Sequence, residues 1–222
     1  MKKKMERTQN KGIDILLVNV HRDGWSFLNG GLAIGLNLLA VFLKERGYNA
    51  AVHMGAACGA DELMRISPGG GRPGSVGLYC DYENMTLVRG LAARIKEKYA
   101  VPVFIGGPQA PGLGAKFIED SRCDAVVRGE GEYSLLELLD SIFRGGKKFS
   151  EIEGISYIDP EKGFVETPDR QPIEELDSLP HPDFRLEKGH EKWNSFPVMT
   201  GRGCPYRCAF CHEGAGAKKV RL

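Results

Sequence analysis

Three cysteines near the carboxyl end, Cys204, Cys208 and Cys211, are separated by three and then two residues. A single loop can turn three thiolates at that spacing toward one centre, which suits a soft metal or an iron–sulfur cluster. A cubane held by three thiolates alone keeps one iron open to an outside ligand, and chemistry would occur there. Three other readings compete. Cys208-Ala209-Phe210-Cys211-His212 also fits covalent haem attachment. That requires export, and the basic, polar segment 1–11 leads into no apolar stretch able to act as a signal peptide. A structural zinc on Cys204, Cys208, Cys211 and His212 would complete a tetrahedral site. Cysteines that merely pack would find little core in this polar, glycine-rich segment.

The elements before the cysteines read as alternating strands and helices. Strand-like runs fall at 13–20, 50–53, 75–80, 101–105 and 124–127, with helical spacing over 32–46, 61–66, 86–99, 114–120 and 133–143. Ile15-Leu16-Leu17-Val18 and Val101-Pro102-Val103-Phe104-Ile105 are apolar on both faces, as central strands covered by helices on each side must be. The expectation is an α/β domain over 12–146: a doubly wound, flavodoxin-like, five-stranded parallel sheet. Ligands of such sheets sit beyond the carboxyl ends of the strands, here the loops 19–31, 80–84, 106–112 and 128–132. Residues 147–171 read as a β-hairpin extension, a small satellite of the main domain. The proline-rich, acidic stretch 172–195 reads as a linker, and 196–222 as the start of another domain. Lys218-Lys219-Val220-Arg221 reads as a solvated tail.

Gly201-Arg202-Gly203-Cys204-Pro205-Tyr206-Arg207-Cys208-Ala209-Phe210-Cys211 resembles the cluster loop of radical S-adenosylmethionine (radical SAM) enzymes, down to the aromatic residue before the third cysteine. The resemblance implies a [4Fe–4S] cluster on Cys204, Cys208 and Cys211, whose open iron chelates S-adenosylmethionine, with Phe210 near the adenine. It also implies that 196–200 is the first strand of a barrel. A doubly wound domain ahead of this loop, with Gly106-Gly107-Pro108 and Arg128-Gly129-Glu130-Gly131-Glu132 ending its fourth and fifth strands, resembles the radical SAM subgroup with an amino-terminal cobalamin-binding domain. Cobalamin contacts are then expected at Gly106, Gly107, Gly129, Glu130 and Gly131. Read without the resemblance, those glycines could equally make tight turns, and Glu130 and Glu132 could serve the amino-terminal dipole of the following helix. His21 stands where related cobalamin domains place a lower cobalt ligand, in Asp-x-His-x-x-Gly, but Asn19 replaces the aspartate. The implied reaction is methyl transfer to an unidentified small molecule, although some relatives use the same cofactors for ring rearrangement.

Composition narrows the rest. Thirty basic and twenty-nine acidic side chains leave a net charge of +1, so no general field favours nucleic acid. The longest apolar stretch, 31–43, is too short to span a bilayer and is interrupted by Asn37. The expectation is a cytoplasmic chain with reduced thiols, with Cys58, Cys80 and Cys123 packing in the core. Gly30-Gly31-Leu32-Ala33-Ile34-Gly35 does not fit a dinucleotide fingerprint, and flavin remains an alternative on fold alone. Only eleven residues follow Cys211, whereas a barrel needs about 200. A missing barrel segment or subunit is therefore an expected partner. The alternatives are a cobalamin-binding module without catalysis and a zinc-stabilised scaffold.

Overall fold

The computed structural model describes residues 12–21, 34–56, 59–66, 71–186, 190–192, 196–206, 208–209, 211 and 218–222. Strands β1 (Ile15–His21), β2 (Ala50–Ala56), β3 (Ser75–Tyr79), β4 (Val103–Gly106) and β5 (Ala125–Val127) are parallel, in the order β2-β1-β3-β4-β5. This is the flavodoxin-like order, with the winding reversing between β1 and β3. Leu16, Val18, Val76, Leu78, Val103 and Ile105 point to the face covered by α2 (Ala60–Ile66), α3 (Met85–Tyr99) and α4 (Ala115–Ser121). Ile15, Leu17, Phe104, Ala125 and Val127 point to the opposite face, under α1 (Ile34–Glu45) and α5 (Gly131–Phe143). Period-two alternation of side chains produces both cores from the same strands.

The end of α1 follows the chain's punctuation. Gly47, at φ +81°, stops the chain just after α1, and its N–H bonds back to the Lys44 carbonyl. α1 and α5 lock together where Phe42 meets Tyr133 edge-on, with ring centroids 5.3 Å apart.

The hairpin is not a satellite. β6 (Ile155–Asp159) pairs antiparallel with β5 and β7 (Gly163–Glu166) with β6, so the sheet has seven strands. Ile155 is fully buried and Tyr157 nearly so, and their burial against the α1/α5 core draws the hairpin into the sheet. The stretch read as a linker is pinned at Ile173, whose N–H donates to Glu130, and at Asp183. The Asp183 N–H donates to Asn37 Oδ1 at 2.8 Å, and Asn37 Nδ2 returns a bond to the Asp183 carbonyl at 3.0 Å. Asn37, the polar break in the apolar run of α1, is the post to which this strap is tied.

Residues 196–200 form no strand; Phe196 lies beside Phe184 instead, with ring centroids 4.9 Å apart. The strand comes later, as β8 (Arg202–Cys204), paired antiparallel with β9 (Lys218–Arg221). The reading of 218–221 as a solvated tail is therefore wrong. Arg221 is 5% exposed because its guanidinium finds a half-buried carboxylate 91 residues away, a partner that local charge patterning cannot reveal.

Candidate functional site

A cavity of about 520 Å³ opens at the carboxyl ends of β3, β4 and β5, on the face covered by α1 and α5. Its walls are apolar, with Leu36 and Leu39 from α1, Leu135 from α5, and Phe104 and Val127 from the sheet. Its rim is polar, formed by Glu130, Glu132 and Arg202. Every glycine expected at the ligand, Gly106, Gly107, Gly129 and Gly131, lines it, and Cys204 reaches its edge.

The glycines have different jobs. Gly107 has φ +111°, and a Cβ there would stand 2.6 Å from the Cys80 carbonyl oxygen and 3.0 Å from its nitrogen. The chain can turn off β4 beside β3 only because that side chain is absent. Gly106, by contrast, has an ordinary strand conformation, and a Cβ would meet Val127 no closer than 3.7 Å. No turn demands glycine at 106, and its lack of a side chain leaves room in the cavity. Gly131, in the first turn of α5, likewise has only ordinary contacts, with Leu39 at 3.5 Å.

Glu130 and Glu132 do not act mainly on the helix dipole. Glu130 precedes α5 and makes no side-chain cap bond. It receives Arg221 Nη2 at 2.6 Å, Arg221 Nη1 at 3.2 Å and the Ile173 N–H at 2.7 Å, with Arg202 Nη1 at 3.8 Å. Glu132, 4% exposed, receives Arg202 Nη2 at 2.6 Å. Burial pushes the Glu130 carboxyl up, but the hydrogen bonds from Arg221 and Ile173 and the charges of Arg221 and Arg202 outweigh it and hold the group below the ordinary glutamate range. A carboxyl depressed in the fold contributes stability that is complete above its unfolded pKa and lost as pH falls through the lower folded value. Glu132 and Glu174 also face Arg221. Chemical denaturation between pH 6 and pH 3 is expected to show the parent losing stability more steeply than Glu130→Gln. Parallel curves would contradict this.

A second polar knot went unread in the sequence. Asn84, 3% exposed, donates from Nδ2 to the Tyr79 carbonyl at 3.0 Å, the Val20 carbonyl at 3.2 Å and Asn19 Oδ1 at 3.5 Å. Its Oδ1 accepts the Asp81 N–H at 2.9 Å. One amide thus ties the ends of β1 and β3, the point where the winding reverses. Asn19 belongs to this knot. Asn84→Leu keeps the volume but strands these groups, so a loss of about 2 kcal/mol is expected in urea unfolding, and less than about 0.5 kcal/mol would contradict the role.

His21 ends β1, and its side chain, with the loop after it, lies outside the described residues, as do Phe210, His212, Cys58 and both tryptophans. Cys204 is partly covered, Cys208 exposed and Cys211 partly covered, with the Cys211 N–H bonded to the Cys208 carbonyl at 3.0 Å. Among the described residues no three His, Cys, Asp or Glu side chains are grouped to hold a metal ion. The donor chemistry fits a cluster, but the sulfurs are not gathered into a ligand set. Cys80 and Cys123 are buried, and burial pushes their thiols up to about 12 and about 11. Both pack in the α2–α4 core, as expected. No helix among the described residues is long and apolar enough to cross a membrane.

Residues 26–139 match the family model of the B12 binding domain. The chain belongs to that family, and it is a cobalamin-binding domain. A curated relative, uncharacterized methyltransferase PH0819 of Pyrococcus horikoshii, is 37% identical over 136 residues, covering 59% of this chain and 28% of its own length. The cobalamin-dependent radical SAM methyltransferase TokK of Streptomyces tokunonensis is 28% identical, covering 70% of this chain and 24% of its own. Among solved structures, the radical SAM methyltransferase TsrM of Kitasatospora setae, with cobalamin and a [4Fe–4S] cluster bound, aligns with a TM-score of 0.65 at 18% identity over 94% of this chain and 43% of that one. Within the B12-binding family, then, its relatives include a cobalamin-dependent radical SAM methyltransferase, and its structural neighbours a radical SAM methyltransferase solved with cobalamin bound. The chain spans about a quarter of the length of these curated relatives.

Proposed function

We propose that this chain is the cobalamin-binding part of a cytoplasmic radical SAM methyltransferase acting on a small molecule, with Cys204, Cys208 and Cys211 as the cluster ligands. The observation that carries the reading is the junction of two features in one place: the apolar, glycine-walled cavity at the strand ends and Cys204 at its edge. A cavity of 520 Å³ suits a heterocycle of drug size. Cobalamin would be held by these apolar walls and by the loops that end the strands. When bound, cobalamin supplies a methyl group carried on cobalt, and a [4Fe–4S] cluster supplies the electron that cleaves S-adenosylmethionine.

The chain's own residues bind and orient. Leu36, Leu39, Leu135 and Val127 exclude water from the cavity, and Gly106 and Gly131 leave the space that a flat ring needs. The backbone along 106–107 and 129–131 is proposed to meet the amide arms of a corrin. His21 is proposed as a candidate lower cobalt ligand from its position at the end of β1.

Purification in hydroxocobalamin followed by desalting tests the reading. Corrin absorption retained near one per chain is expected, and a colourless protein would overturn the cobalamin assignment. Anaerobic reconstitution tests the cysteines separately. Bound iron with acid-labile sulfide supports the cluster, whereas stoichiometric zinc without sulfide would replace it with the scaffold reading.

A further inference from the structure

We propose that Glu132 and Glu130 are positioning residues for Cys204: through Arg202 and Arg221 they latch the β8–β9 hairpin across the mouth of the cavity and hold the first thiol at its edge. This rests on reading Cys204 as a cluster ligand. Four charged side chains alternate in one chain of contacts, Arg221 to Glu130 to Arg202 to Glu132. Their side chains are only 4%, 18%, 14% and 6% exposed, so solvent screens the attraction little. The carboxylates stand at the start of α5, Glu130 just before it and Glu132 in its first turn, and the guanidiniums on the two strands of the hairpin, so the network joins the sheet domain to the cysteine segment.

The local backbone is built to the same end. Arg202 pairs with Arg221 and Cys204 with Lys218, so the register shifts between Arg202 and Cys204, two residues of β8 advancing against three of β9. Gly203 lies at that shift with φ +95°, a conformation L side chains rarely adopt. Gly201 lets the strands close, since a Cβ there would sit 2.7 Å from the Arg221 carbonyl oxygen. With Arg202 anchored two residues before it, Cys204 lines the cavity and is partly covered while Cys208 is exposed.

The test uses the chain without any cluster, by timed iodoacetamide alkylation with each cysteine read by peptide mass spectrometry. In the parent, Cys204 is expected to react roughly threefold or more slowly than Cys208, and the buried Cys80 and Cys123 to stay silent. In Glu132→Gln the lag of Cys204 is expected to vanish while Cys80 and Cys123 remain silent, which separates release of the hairpin from unfolding. The double variant Glu132→Gln, Arg202→Gln leaves no lone buried charge, so it keeps the test readable if the single variant unfolds, and the same loss of lag is expected. Charge reversal, Glu132→Arg with Arg202→Glu, should restore it. A parent without a lag, or a lag that survives in the double variant, would overturn the proposal. Iron uptake is not part of the readout, so failure of the cluster assignment and failure of the latch are distinguishable.

Discussion

Gly106→Val is expected to reduce hydroxocobalamin retention at least roughly tenfold while leaving the thermal midpoint within a few degrees of the parent. Valine is favoured in a strand, and its Cβ would rest at ordinary contact distance, 3.7 Å, from Val127. The cost to folding is therefore small. The branches of valine, however, occupy space beside a cavity that Gly106 now leaves open. Equilibrium titration of the desalted protein, followed by absorbance, separates the two effects. Full retention would show that ligand does not enter past β4.

The neighbouring change should behave in the opposite way. Gly107→Val forces a β-branched residue to φ +111° and drives its Cβ to 2.6 Å from the Cys80 carbonyl oxygen, a backbone atom that cannot swing aside. A loss of about 3 kcal/mol is expected, which at 2–4 °C per kcal/mol lowers Tm by roughly 10 °C. Differential scanning calorimetry reads this without any ligand. A midpoint within about 2 °C of the parent would mean that the turn after β4 can relax, and glycine at 107 would then need another explanation. Adjacent glycines thus divide the work, one permitting the turn and the other the cavity.

That division could not be read from the residues alone, because glycine looks the same in sequence whether it is required by φ or by an empty space. The sheet itself was legible: doubly apolar runs such as Ile15–Val18 are central strands, and the five expected strands took the flavodoxin-like order. The hairpin was recognised but not its attachment, since pairing of β6 to β5 depends on burial of Ile155 and Tyr157 against helices distant in sequence. The same limit hid the roles of Arg202 and Arg221, which look like ordinary solvated cations until the fold brings Glu130 and Glu132 to them. Asn84 was missed because a lone asparagine before a helix has the look of a simple cap, yet its amide ties two strand ends. Spacing was informative where chemistry is local, as in the cysteine loop, and silent where a partner lies across the sheet.

The most direct measurement is backbone hydrogen exchange of the chain with and without hydroxocobalamin, resolved by peptide. Protection on binding is expected in the peptides covering 104–107 and 127–132, which line the cavity, and little change at β7 on the far edge of the sheet. Protection confined to other surfaces, with 104–107 and 127–132 unaltered in a cobalamin-loaded sample, would contradict placement of the ligand at the strand ends.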